Sequence, residues 1–335
     1  MNTESLMNKP RIFLNWLLFR GFSGESLGII RLYFGIGLIF YHHVQFKALI
    51  KLDPYGESFH YIERIWFFDL LGIERHIPWL TLPVYCLLLI STLLFAFGKW
   101  TKSAIITTIL CIFYLKGCRD SFSGDVHHRY VIPVSLLIVF FVSKCAAAWS
   151  MDAGKKPKEE LAEWEASWPI RTGQILIALY YFWALSAKHR LSGIEWFEYG
   201  GKIFEHLIKR SMRYGPDGSY LPLATQLIEY INIAFFFGLL VAIFEFFAPL
   251  VIVWRALWVR VIFVLSASSF HFGNYLLMNV KFYLFPLFFV FFFDPVAVHK
   301  KVLEKLGDSK RRLIIISFLA VLFVITLGRV YEQFS

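Results

Sequence analysis

The chain has 335 residues and a net charge of +10, and 58% of its residues are hydrophobic. Soluble domains average about 45–50% apolar residues, so the composition excludes an ordinary soluble protein and predicts an integral membrane protein. Positive excess in such a protein is typical of cytoplasmic loops and of contacts with anionic lipid. No nucleic-acid-binding motif appears in the sequence, so the expected partner is the lipid bilayer and not nucleic acid.

The apolar runs predict an all-α fold, a polytopic bundle of about nine transmembrane helices with additional interfacial amphipathic helices. Near the N-terminus, the short, basic and apolar segment Arg11–Phe22 is typical of an interfacial helix. Tyr61–Trp79 is too charged to span a bilayer and too aromatic for a free loop, so we expect it on the membrane surface. The spans of this half are predicted at Leu27–His43, Leu80–Phe97, Ser103–Leu115 and Tyr130–Trp149.

A charged loop, Ser150–Ser167, leads into the second half of the chain. The spans of this half are predicted at Ile170–Ala187, Ile231–Val253, Leu257–Met278, Phe282–Phe293 and Leu313–Leu327. The chain is accordingly divided into an interfacial N-terminal helix (1–26), a membrane domain (27–295), and a basic loop with a C-terminal transmembrane helix (296–335).

The distribution of lysine predicts the orientation. The loops Ser150–Ser167 and His299–Arg312 are lysine-rich and fall on the side of the N-terminus in this count of spans. The positive-inside rule makes them cytoplasmic, so Lys188 lies at the outer face of the cytoplasmic (inner) membrane. The bias is reduced by further basic residues that the same count puts outside. These are Lys202, Lys209, Arg210 and Arg213.

Lys188 ends the apolar run of residues 175–187, which is long enough to enter a bilayer. A lysine at the end of such a run has two interpretations. Its ammonium extends to the headgroups, as is common at helix ends. Alternatively, it lies in a low-dielectric pocket where desolvation makes the neutral amine available as a base. The local sequence leaves both open.

A second polar cluster, Arg119–Tyr130, brings Asp125, His127 and His128 close together in sequence. Two adjacent histidines point apart on a helix, and one carboxylate does not complete a metal site, so no metal is predicted. The segment is either a polar loop between helices or the source of a histidine that hydrogen-bonds a catalytic base.

Two further clusters lie inside predicted spans. A carboxylate there costs about 2.5–3.5 kcal/mol on insertion scales for Asp, so we expect Glu245 to be buried and paired, for structure or for function. His271 and Asn274, at a spacing of i, i+3, put polar groups on one helix face. They make interhelical hydrogen bonds or, together with Lys188 and Glu245, form a buried polar pocket.

These clusters belong to an ordered set of short segments. The set comprises Leu94–Lys102, Arg119-Asp120, Gly124-Asp125, Trp149–Asp152, Trp168–Gln174, Lys188, Trp196, Glu245 and His271. In this order it resembles the horizontally transferred transmembrane domain family, whose best-known member is the vitamin K-dependent gamma-carboxylase of animals. The resemblance covers roughly Leu27–Pro295.

The resemblance implies roles for particular residues. In the animal carboxylase a lysine at the place of Lys188 is the base that deprotonates vitamin K hydroquinone. The segment His127-His128-Arg129-Tyr130 is similar to the one that supplies a supporting histidine, which matches His128. Residues expected to contact the quinol are Trp196, His271 and Asn274, and further pocket candidates are Asp125, His127 and Glu245.

The function implied is that of a membrane-embedded gamma-carboxylase-like enzyme. It would couple oxygenation of vitamin K hydroquinone or another quinol to proton abstraction from, and carboxylation of, a peptide or small acceptor. Dioxygen and carbon dioxide are the implied cosubstrates, and no metal is implied. A pocket closed to water would protect the carbanion from quenching.

An alternative function follows from a difference between this sequence and the animal carboxylase. The sequence ends soon after its last predicted span, so the large soluble domain that follows the membrane part of the animal enzyme is expected to be absent. Small stand-alone members resemble membrane proteins encoded beside sporulation-delaying peptide toxins. The alternative is therefore maturation, export or immunity of a secreted peptide toxin without carboxylase activity, with a peptide substrate or small accessory protein as partner.

Overall fold

The computed structural model describes residues 12–50, 61, 63–74, 76–123, 128–155, 161–193, 205, 230–278 and 285–297. Every regular element within them is helical, which confirms the all-α class. The α-helices are α1 (residues 12–19), α2 (Gly24–Ile50), α3 (Trp66–Leu70), α4 (Pro78–Phe97), α5 (Thr101–Ser123), α6 (Val131–Val142), α7 (Glu163–Ser192), α8 (Ile231–Phe247), α9 (Leu250–Val253), α10 (Leu257–Met278) and α11 (Phe285–Phe288). Short 3-10 turns lie at His128–Tyr130, Ala153–Lys155 and Phe289–Phe292.

Three helical stretches among the described residues are long and apolar enough to cross a bilayer: Gly24–Lys47, Trp79–Phe97 and Thr101–Phe122. Two shorter apolar helices, Val131–Val142 and Phe235–Phe247, accompany them. A span needs about 20 predominantly apolar residues. These helices make the protein membrane-associated.

The surface of α4 has the pattern of a lipid-facing helix. Its large exposed apolar side chains are Leu82, Leu87, Ile90, Leu93 and Phe97. They recur at roughly helical spacing and so form one stripe. Exposing such a stripe to water is unfavourable by roughly 25 cal/mol per Å², and a surrounding of hydrocarbon removes that penalty.

One predicted span ends earlier in the structure than the sequence indicated, and another is interrupted. The helix α6 ends at Val142, whereas the predicted span continues to Trp149. The helix α8 ends at Phe247, and the chain passes Pro249 before the short α9 begins. Ala248 and Pro249 keep helical dihedral angles, and Pro249 cannot donate a backbone hydrogen bond, which accounts for the interruption between α8 and α9.

The chain folds as two compact units. The first unit comprises Gly21–Ser167 and Phe293–Ser335, and the second comprises Met1–Arg20 and Trp168–Phe292. Helices α2–α6 thus belong to the first unit, and α1 with α8–α11 to the second. The boundary falls within α7, between Ser167 and Trp168.

In the first unit α4 packs against both α2 and α5, and α5 also packs against α6. The close approach of α2 to α4 depends on Gly35, where a Cβ would lie 2.6 Å from the Cβ of Ala96. No real side chain tolerates that distance. Small residues at such contacts allow transmembrane helices to pack backbone against backbone.

The buried guanidinium of Arg31 on α2 binds the chain that follows α6. It donates to the carbonyls of Cys145, Ala148 and Trp149, the second at 3.3 Å, and to that of Ala96 at 3.4 Å. The chain after α6 is not helical, so its carbonyls lack intrahelical partners, and inside a bilayer no water replaces them. Arginine, with five donors, satisfies several at once, which explains how α6 can end inside the predicted span.

The turn between α4 and α5 is joined to the same segment. Gly98 ends α4 in the left-handed conformation at φ 66°, and a Cβ there would lie 2.6 Å from the Cβ of Ser150. The Asp152 carboxylate accepts from the backbone N–H of Thr101 at 3.4 Å and from its hydroxyl at 3.3 Å. A carboxylate at a helix N-terminus is favourable, so Asp152 stabilises the start of α5. The segments Leu94–Lys102 and Trp149–Asp152, which both belong to the set that resembles the family, are therefore in contact.

We predict that Arg31→Met strongly destabilises the protein, because methionine fills the space of the stem but leaves four carbonyl oxygens without their donor. Hydrogen bonds from a charged donor contribute about 1.5–3 kcal/mol each, so we expect a loss of about 3 kcal/mol or more. The measurement is the thermal unfolding midpoint of the purified protein in detergent. Arg190→Met, at an exposed position of α7, is the matched control and should leave the midpoint nearly unchanged. Equal midpoints for the two variants would contradict the role of Arg31.

Candidate functional site

Polar residues recur along one face of α7. Gln174, Tyr181 and Lys188 follow one another at intervals of seven residues, which is close to two helical turns. Gln174 and Tyr181 are buried. The Gln174 amide donates to the carbonyl of Phe291 at 2.6 Å, and the other two side chains contact α8 and α10. This face therefore carries polar interactions through the second unit, in which α8, α9 and α11 each pack against α10.

Lys188 forms an ion pair with Glu245 of α8. Its Nζ donates to both carboxylate oxygens. The Glu245 side chain is 1% exposed and the Lys188 side chain 21%. Burial of a carboxylate in an apolar helix is unfavourable unless a cation and hydrogen bonds compensate it. The prediction that Glu245 is buried and paired is confirmed.

This pair also decides how Lys188 is placed. The ammonium is directed to a buried carboxylate, and it lies 6.0 Å from the centroid of the Phe270 ring, within cation–π range. It is therefore engaged by the helices around it. A lysine extended to the headgroups would make neither contact.

A second polar pair links α7 to α10. The Tyr181 hydroxyl and Nε2 of His271 are 2.9 Å apart, and either atom can donate, depending on the histidine tautomer. Tyr181 is 2% exposed and His271 9%. Buried polar groups of this kind are unfavourable unless hydrogen-bonded, so each side chain stabilises the position of the other.

Phenylalanine rings connect the two pairs. The ring of Phe270, which faces Lys188, is 4.8 Å from that of His271. The ring of Phe244 is 4.9 Å from that of Tyr181, and the next residue is Glu245. The ring of Tyr181 contacts those of Phe244, Phe263, Phe270 and Phe285. We call Lys188, Glu245, Tyr181 and His271 the acid–base cluster.

The other predicted site residues do not all fall in the described part of the chain. Asp125, His127 and Trp196 lie outside it. His128 begins the 3-10 turn before α6 in the first unit, but its side chain is outside the described residues, so its pairing with Lys188 stays a prediction. Asn274 lies on α10, three residues after His271, and is half-buried.

Tyr181 is the residue that reading the sequence missed. Within the apolar run before Lys188 it reads as a core or interfacial aromatic residue. The signal was its spacing, because residues seven apart share a helix face and Lys188 was already singled out. The pairing of Lys188 with Glu245 was missed for a different reason, since the resemblance pointed to His128 as the partner of the lysine.

No family model, curated protein or solved structure matches the chain. What the acid–base cluster can do is therefore argued from its geometry. It combines an ammonium–carboxylate pair, which can give or take a proton, with a neutral tyrosine–histidine pair that can donate or accept hydrogen bonds. Aromatic rings line it, and the side chains of Glu245, Tyr181 and His271 are buried. Such an arrangement suits proton transfer with an apolar molecule that carries an ionisable hydroxyl.

We predict strong energetic coupling between Lys188 and Glu245. Glu245→Leu removes the carboxylate that binds the ammonium, and Lys188→Met removes the ammonium that binds the carboxylate. Each substitution should destabilise the protein by about 3–5 kcal/mol. The double variant removes both charges and should recover most of that loss. The measurement is a double-mutant cycle of unfolding free energies or, failing that, of thermal midpoints in detergent. Additive losses in the double variant would show that the two side chains do not form a stabilising pair.

Proposed function

We propose that the chain is a membrane-embedded acid–base enzyme of the gamma-carboxylase-like kind that its sequence resembles, in which Lys188 is the base that takes a proton from a quinol. The observation that supports this most is the Lys188–Glu245 pair, whose carboxylate is buried and whose ammonium faces the ring of Phe270. Catalytic bases are typically held in surroundings that change their proton affinity, and a charged pair in an apolar helix bundle is such a place.

Glu245 provides a route to the neutral amine. A proton that moves from Nζ of Lys188 to a carboxylate oxygen converts the ion pair into an amine and a carboxylic acid. That transfer changes no net charge, so the apolar surroundings do not oppose it as they oppose an isolated charge. The amine can then accept a proton from a hydroxyl group of the substrate, while Glu245 holds the first proton.

The residues present fit a quinol. Its ring is apolar and aromatic like the phenylalanines of the acid–base cluster, and we expect its hydroxyls to interact with Lys188 and with the Tyr181–His271 pair. An apolar cosubstrate can arrive through the bilayer, and α8 exposes large apolar side chains along its length. Among these are Phe236, Leu240, Ile243 and Phe247. A bound quinol supplies two electrons and acidic hydroxyl protons for the reaction with dioxygen.

The acceptor follows from the chemistry of the proposed base. With carbon dioxide as cosubstrate, the acceptor is a peptide or small molecule with a C–H group beside a carboxyl group. We expect the apolar rings of the acid–base cluster to limit the access of water, as a carbanion requires. Trp196 and Asn274 are further proposed contacts of the quinol.

We also propose the full architecture of about nine spans in the cytoplasmic membrane, with Lys188 toward the outer side. Contacts within each unit support it. In the first unit, Ser26 donates to Asp294 at 2.6 Å. In the second unit, Arg171 donates to the carbonyl of Arg20 at 3.2 Å. Each contact joins chain segments that this count of spans puts at the cytoplasmic face.

We predict that Lys188→Met abolishes oxidation of vitamin K hydroquinone or menaquinol by the purified protein in nanodiscs. Loss of a general base lowers turnover by about 100-fold or more. Oxygen consumption with each quinol is the measurement. Lys102→Met, at an exposed position of α5, is the matched control and should keep wild-type turnover.

Lys188→Met alone leaves the buried Glu245 carboxylate without this ammonium, which destabilises the protein. The double variant Lys188→Met with Glu245→Leu therefore serves as a folded but inactive reference. Wild-type turnover in that double variant would remove Lys188 from the reaction. A wild-type protein that oxidises neither quinol would overturn the proposed activity. The function in maturation, export or immunity of a secreted peptide would then be the one to test.

A further inference from the structure

Arg119 and Arg129 of the first unit share one hydrogen-bond acceptor. Nη1 of Arg119, on α5, donates to the side-chain oxygen of Gln45 on α2 and to the backbone carbonyl of Gln45, the latter at 3.3 Å. Nη1 of Arg129, in the 3-10 turn before α6, donates to the same side-chain oxygen at 3.4 Å. Two donors to one acceptor lie at most about 6 Å apart, so the structure holds two positive charges close together.

The acceptor between the two arginines does not balance their charges, because the amide of Gln45 is neutral. Arg129 repels Arg119, whereas Asp120 attracts it, but the Asp120 carboxylate is already bound by Lys116. In the part of the chain that the structure describes, no carboxylate forms an ion pair with either arginine. The pair therefore keeps a net positive charge.

Contacts around Tyr130 hold the backbone of Arg129 in place. The Tyr130 hydroxyl lies 3.0 Å from Nδ1 of His42, and both side chains are buried. The Tyr130 ring also stacks on that of Phe46, with the ring centroids 5.6 Å apart. The hydroxyl of Tyr41 donates to the carbonyl of Arg129 at 3.2 Å. A cation whose backbone is fixed in advance loses less conformational freedom when it binds a ligand.

The pair is accessible, and its surroundings indicate a position near the membrane surface. Arg129 is exposed and Arg119 is half-buried. Two residues after Arg119, the Ser121 hydroxyl accepts from the backbone N–H of Ile65 at 3.3 Å. The next residue, Trp66, begins α3 and is 76% exposed. Because exposed tryptophans are enriched at the level of the lipid headgroups, both lipid phosphates and dissolved anions can reach this place.

We propose that Arg119, Arg129 and Gln45 form an oxyanion-binding site, in which a carboxylate or phosphate group binds the two guanidinium groups. Guanidinium groups match the paired oxygens of both anions. A glutamate in place of Gln45 would neutralise one charge from within the protein, whereas the glutamine leaves both charges for an external anion. The bound anion offsets the repulsion between the arginines and so stabilises the contact of α2 with α5 and with the start of α6. Its source is a lipid headgroup or a soluble acid.

The first test separates these two sources. The full chain, purified in an uncharged detergent, is titrated with phosphatidylglycerol, with phosphatidylcholine of the same acyl chains, and with citrate against chloride at equal ionic strength. We expect phosphatidylglycerol or citrate to raise the thermal unfolding midpoint by about 2 °C or more at saturation, and the two controls to leave it unchanged. A shift with phosphatidylglycerol identifies a lipid headgroup as a source, and a shift with citrate identifies a soluble acid. The absence of both shifts overturns the proposal.

Variants locate the site. Gln45→Glu places a carboxylate of nearly the same size between the arginines, so it should raise the midpoint without ligand and weaken binding of the anion about fivefold or more. Arg129→Gln, at an exposed position, should weaken binding about fivefold, as expected for one basic residue near a lipid surface. Arg190→Gln removes the same charge from an exposed position of α7 and is the matched control. It should leave binding unchanged.

Two results with these variants contradict the site. Equal affinity of Arg129→Gln and Arg190→Gln for the anion overturns the proposal, because binding then depends on net charge alone. A Gln45→Glu protein that binds the anion as tightly as the wild type also overturns it. If Gln45→Glu does not fold, the comparison of the two arginine variants decides.

Discussion

The carboxylate of Glu245 imposes the strongest constraint on the second unit. It lies in the apolar helix α8 with 1% of its side chain exposed, where no water is at hand to solvate it. A cation has to reach it, and Lys188 of α7 does so with contacts to both oxygens. This contact fixes which turn of α7 faces which turn of α8. Since Tyr181 lies two turns earlier on the same face of α7, the pair also sets where that hydroxyl meets His271 of α10.

Backbone carbonyls inside the bundle also need hydrogen-bond donors, and buried arginines provide them. Arg31 satisfies the carbonyls that follow α6, and Arg171 binds the carbonyl that follows α1. In each case a guanidinium with several donors binds backbone carbonyls that would otherwise need water. Helices can therefore end within the bundle without leaving polar backbone groups unsatisfied. In the described part of the chain, carboxylate–lysine pairing is used at the acid–base cluster, and arginine–carbonyl pairing is used at helix ends.

Part of the fold and of the acid–base cluster could be predicted from the sequence, for clear physical reasons. Apolar runs predict helices, and the penalty for a carboxylate within a span predicts that Glu245 is buried and paired. The early end of α6 was not predictable from apolarity, because it depends on Arg31, which is distant in sequence. The break after α8 had a local signal in Pro249. Tyr181 was missed because a tyrosine in an apolar run looks like packing until its spacing from Lys188 is considered. The predicted role of His128 involves a side chain outside the described structure.

Stability alone does not account for the acid–base cluster. Replacing a buried ion pair with apolar side chains of similar volume is often neutral or stabilising, because both charges lose their hydration on burial. The fold could therefore be held at this place by leucine and methionine, as it is elsewhere by phenylalanine rings. A lysine, a carboxylate, a tyrosine and a histidine in one apolar place instead provide groups that exchange protons. Packing does not need that property, whereas the proposed catalysis does. It is the physical reason to look for the proposed reaction at Lys188.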